Sequence, residues 1–309
     1  MNMGIQIRER VPLAPLTTFG IGGPAAYYID VANEADVREA LAFAQKKGLP
    51  HIVLAGGSNV LIPDDGLQAV VLHIVEGEYS LNDDVLMADF GCNLLRLIRE
   101  CGQKGMGGWE KLAGIPGTIG GAVRGNAGAF GPEIKDFLVQ VRAHNVRTGE
   151  TRDFARVKCE FAYRHSYFKD HPEWIILRTT LRLNAVDPAE SARLADETIA
   201  ERERRHLQNV RAAGSFFMNP TAPADVVEMF EKEKGVKSRE SRVPAGWLID
   251  KAGMKGARVG GAIASLQHPN YIVNDGGATA HDVRNLAQQI KLEVFSQFGV
   301  ELQEEAALL

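Results

Sequence analysis

The stretch Gly114–Gly131, GIPGTIGGAVRGNAGAFG, holds seven glycines in eighteen residues, against 32 in the 309 residues of the whole chain. Glycine loses more backbone freedom on folding than any other residue, so this density needs a cause. One cause is a ligand that backbone N–H groups must approach with no Cβ in the way; chains of such amides cradle phosphates. The alternative is a set of tight turns. A second cluster, LAGGSNVL at Leu54–Leu61, adds backbone donors and the Ser58 and Asn59 side chains. Neither segment reads G-x-G-x-x-G opening a helix or G-x-x-x-x-G-K-[ST], which disfavours Rossmann and P-loop sites. Two cradles in one chain point to an extended dinucleotide held between two subdomains.

Other chemistries find less support. Cys92, Cys101 and Cys159 stand far apart with no C-x-x-C pair, so no metal site is expected and the thiols read as structural. A net charge of −4 argues against nucleic acid or a membrane surface as partner, while leaving room for a local basic pocket. The chain has no apolar run of the roughly 18 residues a span needs. Its start, MNMGIQIRERVPL, lacks the apolar core of a signal peptide, and a cytoplasmic location is expected.

The elements that must position these segments follow from periodicity and capping. A helix is expected over Glu34–Lys47, capped by Asn33, with Asp36 at its third position and Gly48 ending it. His51–Ala55, Ala69–Ile74 and Val85–Phe90 read as strands, and Asn93–Lys104 has helical spacing. Leu138–Val146 and Ile175–Leu183 alternate apolar and polar, the mark of half-buried strands. Asp187 opens a charged helix to about His206, with Glu190 closing a capping box; this helix reads as a connector between domains. The last third reads as a separate α/β unit, with helices over Pro223–Lys234 and Thr279–Phe298.

Seven segments then occur in order: TTFGIGGPA (Thr17–Ala25), AGGSNVLIPDDG (Ala55–Gly66), the glycine stretch, CEFAYRHSYFK (Cys159–Lys169), AAGSFFMNP (Ala212–Pro220), AGWLIDKAGMKGARVGGA (Ala245–Ala262) and HPNYIVN (His268–Asn274). The series, from about Thr17 to Glu305, resembles the UDP-N-acetylenolpyruvoylglucosamine reductase family. The resemblance implies an α+β chain with an FAD-binding fold of the vanillyl-alcohol-oxidase type. Two α+β subdomains, residues 1–75 and 76–190, would hold FAD between them. A C-terminal α/β substrate domain would span 191–299, with the tail 300–309 packing back near the site. The implied reaction has two halves: NADPH reduces bound FAD, and reduced FAD gives hydride to the enolpyruvyl double bond of UDP-N-acetylglucosamine enolpyruvate. The product is UDP-N-acetylmuramate, a peptidoglycan precursor, and a monomer is expected. The spacing from Arg164 to Ser215 matches the shorter subclass, which lacks a long insertion.

The resemblance also assigns residues. Hydride addition to an enol ether conjugated with a carboxylate builds negative charge toward that carboxylate, where an electrophile belongs, and a proton must reach the adjacent carbon. Arg164 matches the family's arginine, with Tyr163 beside it, and its planar guanidinium suits a carboxylate. Ser215, after Gly214, matches the proton donor. Glu305 completes the catalytic set, although a one-residue slip exchanges it with Glu304. Asn219 would bind the UDP part. FAD would be held by Ala55, Gly56, Gly57, Ser58, Asn59, Ile115, Pro116, Gly117, Thr118, Gly121, Ala122, Asn126 and Gly128. His268 reads more readily as part of a turn than as a base.

The chain departs from the family pattern at Ala55, where glycine is usual, and at Gly20 and Met218, where a basic residue is frequent. Asn209 replaces a frequent proline. Two other functions stay open at this level: an FAD-dependent oxidase or dehydrogenase of the same fold on another substrate, and a non-catalytic UDP-sugar-binding regulator.

Overall fold

The computed structural model describes residues 4–205 and 210–309. The expected helix end at His206 and the departure at Asn209 lie outside the described residues. The chain divides into two compact units: Met1–Val11, Ala25–Gly56 and Gln68–Arg204, and Pro12–Pro24, Gly57–Leu67 and Arg205–Leu309.

The first unit is built on two sheets. One has the strand order Ile7–Pro12, Pro24–Val31, Leu67–Ile74, His51–Leu54, the last two being parallel with His51 opposite Val70. Leu67–Ile74 is buried along most of its length, which is why it reads as an apolar run, whereas His51–Leu54 buries Leu54 and leaves Val53 exposed. The helix Glu34–Lys47 forms with its expected cap: Asn33 Oδ1 accepts from Asp36 N at 3.1 Å, and Gly48 ends it at φ 66°. It buries Val37, Ala40 and Ala44.

The other sheet is antiparallel, in the order Thr151–Ala155, Leu138–Asn145, Trp174–Arg182, Val85–Asp89, Tyr79–Asn82. Alternation is clean from Leu177 to Arg182, but Trp174 to Leu177 are all buried. There the strand is bulged and covered on both sides, with Trp174 set edge-on to Phe154.

The charged helix runs Pro188–Arg205. Asp187 Oδ1 caps it by accepting from Glu190 N at 2.9 Å. The Glu190 carboxylate turns to Arg193 instead of closing a capping box. The helix is also docked on the first unit, so it is no bare connector. Ser191 Oγ donates to the buried Glu110 at 2.6 Å, and Ala195 enters the core.

The second unit centres on the helix Ala280–Phe298, whose N-terminus carries a reciprocal Thr279–Asp282 capping box. Its buried stripe, Val283, Leu286, Ala287, Ile290 and Val294, packs with a three-stranded sheet (Arg258–Val259, Ala262–Ala264, Ile272–Asn274) and with the helix Ala245–Lys251. Phe216 and Phe217 are each 1% exposed in this core, burial that contributes about 1.5–3 kcal/mol apiece. The tail strand Ala307–Leu308 lies parallel to Val60–Leu61. Among the described residues no helix is long and apolar enough to cross a membrane.

Candidate active site

The glycine stretch contains a helix that reading it as turns alone leaves out. Ile119–Arg124 is helical, with Thr118 as N-cap and its Oγ1 accepting from Gly121 N at 3.3 Å. Two adjacent glycines serve opposite purposes in it. A Cβ on Gly120 would lie 3.0 Å from Phe90 Cβ and O, so Gly120 lets the helix pack inward. A Cβ on Gly121 would meet only Thr118 Oγ1, at 3.6 Å, and that face is open. The two glycine clusters also approach each other: a Cβ on Gly56 would lie 3.5 Å from Gly117 Cα.

The fit to a pyrophosphate lies in the turns before the helix. The amides of Ile119 and Gly120 already donate to Cys92 O and Phe90 O. Among the described residues, the N–H groups of Gly56, Gly117 and Thr118 in the first unit have no protein acceptor. The same holds for Gly57, Ser58 and Asn59 in the second unit. Gly57 is buried, Ser58, Gly117 and Thr118 are half-buried, and Gly56 and Asn59 are exposed, so these donors are open to an anion or to water. Gly57 must be glycine: φ is +59°, and a Cβ would fall 1.9 Å from Leu16 O. Ala55 is half-buried against the core, and its φ is not in the left-handed region, so alanine is accommodated there. Ile115 and Gly128 are half-buried, Pro116 is exposed and Ala122 is buried.

The expected arginine stands at the tip of a tight hairpin. Ala162 N donates to His165 O at 3.2 Å and His165 N to Ala162 O at 3.1 Å, leaving Tyr163 and Arg164 as the two central residues. Arg164 has φ +54°, a left-handed conformation that side chains with a Cβ adopt at a cost. The hairpin is tied down from three sides. Lys169 Nζ donates to Arg164 O at 3.1 Å, Ser166 Oγ to Arg124 O at 2.7 Å, and Asn126 Nδ2 to Ala162 O at 2.8 Å. The Arg164 guanidinium lies 5.4 Å from the centre of the Tyr163 ring. Asn126 is fully buried and also bonds Glu133 and Lys135 N, so its side chain holds the hairpin against the end of the cradle helix. Ser166, wholly buried, is a site-building residue that sequence reading missed. Its only signal was its place in the CEFAYRHSYFK segment.

In the second unit, the segment after Ser215 is joined to the tail that carries Glu305 through backbone bonds. Phe216 O accepts from Glu305 N at 2.8 Å, Met218 N donates to Gln303 O at 2.9 Å, and Phe217 bridges Glu304. The tail is held from its other edge as well: Asn59 Nδ2 donates to Glu305 O at 3.0 Å, and Ala307 N to Asn59 O at 3.0 Å. Glu304 and Glu305 differ sharply. Glu304 accepts hydrogen bonds from Lys291 Nζ at both carboxylate oxygens, at 3.0 and 3.2 Å. Glu305 carries the backbone link to the Ser215 segment.

The remaining expected residues are distributed as follows. Gly214 has φ +71° with open space where a Cβ would be. Asn219 uses Oδ1 to accept from Ala245 N at 3.0 Å. Burial lowers the proton affinity of the His268 ring, which sits edge-on to Tyr271. Burial raises the thiols of Cys92 and Cys101 to about 11 and that of Cys159 to about 12, far from the thiolate a nucleophile needs. Asn270, whose carboxamide accepts from the N–H and donates to the C=O of Phe217, had no sequence signal beyond a turn-like HPN.

Comparison with known proteins gives three findings. Residues 205–309 match the family model of the UDP-N-acetylenolpyruvoylglucosamine reductase C-terminal domain, and residues 25–155 that of an FAD binding domain. The UDP-N-acetylenolpyruvoylglucosamine reductases of Pseudomonas putida and Pseudomonas aeruginosa are 36% and 37% identical, each alignment covering 99% of this chain and 100% of theirs. A crystal structure of the reductase of that name from Thermus caldophilus matches with a TM-score of 0.77 at 31% identity, covering 98% of this chain and 99% of that one.

Proposed function

The chain belongs to the UDP-N-acetylenolpyruvoylglucosamine reductase family, and on that premise we propose how its residues carry out the family's reaction. The protein is an FAD-containing, NADPH-dependent oxidoreductase that reduces the enolpyruvyl double bond of UDP-N-acetylglucosamine enolpyruvate, giving UDP-N-acetylmuramate for peptidoglycan synthesis. Bound FAD, once reduced by NADPH, supplies the hydride.

The FAD would be held by the turns Ala55–Asn59 and Ile115–Thr118, with Gly121, Ala122, Asn126 and Gly128 shaping the wall beside them. The unpaired amides at Gly56–Asn59, Gly117 and Thr118 support this reading. The four-stranded sheet within residues 7–74 and the five-stranded sheet within 79–182 support subdomains at 1–75 and 76–190; a substrate domain follows, but the helix Pro188–Arg205 packs with the first unit and so precedes it rather than opening it at 191.

Hydride adds to one alkene carbon, and charge moves toward the substrate carboxylate. Arg164 donates to that carboxylate from its hairpin tip, Tyr163 beside it. The Ser215 hydroxyl gives its proton to the adjacent carbon, which closes the balance of the reduction. Glu305 is the acidic partner of that step, and the amide of Asn219 together with the open backbone at Gly214 receives the UDP part. The observation that carries the assignment is the Phe216 carbonyl, which follows Ser215 and accepts from Glu305 N. Monomeric operation in the cytoplasm completes the reading.

The test is anaerobic. The purified protein is expected to carry an oxidised flavin spectrum, to be bleached by NADPH, and to regain colour only on adding the enolpyruvyl substrate. A colourless protein that FAD does not reconstitute overturns the reading. So does a flavin that NADPH reduces and the enolpyruvyl substrate leaves reduced.

A further inference from the structure

Among the described residues, the Ser215–Met218 segment lies in no regular sheet, and its ladder contact is the isolated Phe217–Glu304 bridge. The tail residues Gln303–Glu305 satisfy one of its edges. Its other edge is satisfied by a single residue. Asn270 O accepts from Phe216 N at 2.7 Å, Asn270 Oδ1 accepts from Phe217 N at 2.9 Å, and Asn270 Nδ2 donates to Phe217 O at 2.9 Å. A carboxamide has the donor and acceptor of a peptide, so this side chain stands in for a missing neighbouring strand.

Asn270 is itself held firmly. It is 3% exposed. The turn that contains it is closed by Tyr271 N donating to His268 O at 2.8 Å, and Ser265 Oγ accepts from Gln267 N and His268 N. The strand Ile272–Asn274 begins two residues later. No other residue type reproduces the pair of bonds at this length. Aspartate loses the donor and sets a carboxylate oxygen against Phe217 O, glutamine is one methylene too long, and alanine leaves both peptide groups unpaired.

We propose that Asn270 is a positioning residue for Ser215, fixing the two peptides that follow the proton donor so that its hydroxyl is delivered to one place. The proposal rests on the reading of Ser215 given above. A serine hydroxyl is a poor acid and transfers its proton only within hydrogen-bond reach. Misplacement by about 1 Å costs on the order of a hundredfold in such a step.

The experiment compares the two half-reactions in the FAD-loaded Asn270→Ala, Asn270→Asp and Ser215→Ala proteins by stopped flow. Asn270→Asp keeps the size and one bond, and so serves if the alanine variant fails to fold. FAD content and flavin reduction by NADPH are expected to stay within about twofold of the parent, while reoxidation by the enolpyruvyl substrate slows by about 10- to 100-fold. Equal loss in both half-reactions, or loss of FAD, makes Asn270 a general fold residue and overturns the proposal. Parent-like reoxidation in both Asn270 variants overturns it too. The Ser215→Ala arm separates the two ideas. If that protein reoxidises at the parent rate, the proton-donor reading fails first; if it is blocked while the Asn270 variants are not, only the positioning role fails.

Discussion

Arg164 joins a backbone constraint to the role proposed for it at the substrate carboxylate, and the two can be separated by three substitutions. It is the second central residue of the Ala162–His165 hairpin, at φ +54°. A residue with a Cβ there bears about 1–2 kcal/mol of left-handed strain. Arg164→Ala keeps the strain and loses the guanidinium. Arg164→Gly loses both, at about 0.4–1 kcal/mol of added unfolded-state entropy. The glycine variant is therefore expected to be the more stable of the two by roughly 0.5–1 kcal/mol, from the difference of those terms. At a turn position with negative φ the order would be the reverse, so the sign tests the geometry. Urea unfolding of the two apoproteins measures it. Both variants lose the charge-assisted bonds to the substrate carboxylate, each worth about 1.5–3 kcal/mol. That converts to a fall in kcat/KM of roughly 10²- to 10⁴-fold for the enolpyruvyl substrate, with flavin reduction by NADPH unchanged. Arg164→Lys keeps charge without the planar fork and should fall between. An alanine variant as stable as the glycine variant refutes the strain argument. Either variant retaining kcat/KM within about threefold refutes the role at the carboxylate.

Three further outcomes follow from the same structure. Gly57→Ala should unfold the protein or cost about 3 kcal/mol or more, since its Cβ would strike Leu16 O, whereas Gly56→Ala should leave stability within about 0.5 kcal/mol and weaken FAD about tenfold; urea unfolding and flavin-fluorescence titration of the apoprotein check the pair, and the opposite order sinks the cradle. Glu305→Gln should slow the substrate half-reaction by at least about tenfold, while Glu304→Gln, losing the Lys291 ion pair, should cost only about 1 kcal/mol of stability; equal kinetic losses would return the register to doubt. Burial lowers the proton affinity of His51 and His268, and of His144, which Arg38 also repels. Below an ordinary histidine's pKa of about 6.5 the unfolded chain then binds more protons than the native one, so stability is full above that pH and is lost as pH falls. The urea midpoint should drop between about pH 7 and about pH 5.5, less so in His144→Gln, and a flat profile counts against it.

What the sequence made legible was local. The Asn33 and Thr279 caps, the Gly48 and Gly299 helix ends and the alternation of Leu177–Arg182 each depend on residues within a few positions, where propensity and period decide. The helix inside the glycine stretch was not legible, because its glycines argue against a helix. The deciding fact is that Gly120 must pack on Phe90, thirty positions back in the chain. The Glu304–Glu305 ambiguity was likewise beyond sequence spacing. In the fold Lys291 faces Glu304 from the long helix and bonds its carboxylate. The left-handed Arg164 could not be foreseen from its type, since arginine has no preference for that region. It is imposed by the hairpin and the groups that tie it down.

The same limit explains the asparagines. Their place in the motifs marks Asn59, Asn126 and Asn219 as ligand contacts, yet in each the side chain is engaged with backbone. Asn59 donates to Glu305 O, Asn126 to Ala162 O, and Asn219 accepts from Ala245 N. Asn270 and Asn274, which no motif reading singled out, behave alike, toward Phe217 and Phe19 O. The physical reason is common to all five. Segments that present unpaired amides or a catalytic side chain to a ligand cannot sit inside a regular ladder, so their remaining peptide groups need partners of another kind. A short carboxamide offers a donor and an acceptor at low entropy cost, and is the natural substitute for a strand. A residue that recurs beside a site is thus as apt to build it as to bind in it. For this chain, the rate of each half-reaction separates the two roles where a list of ligand contacts does not.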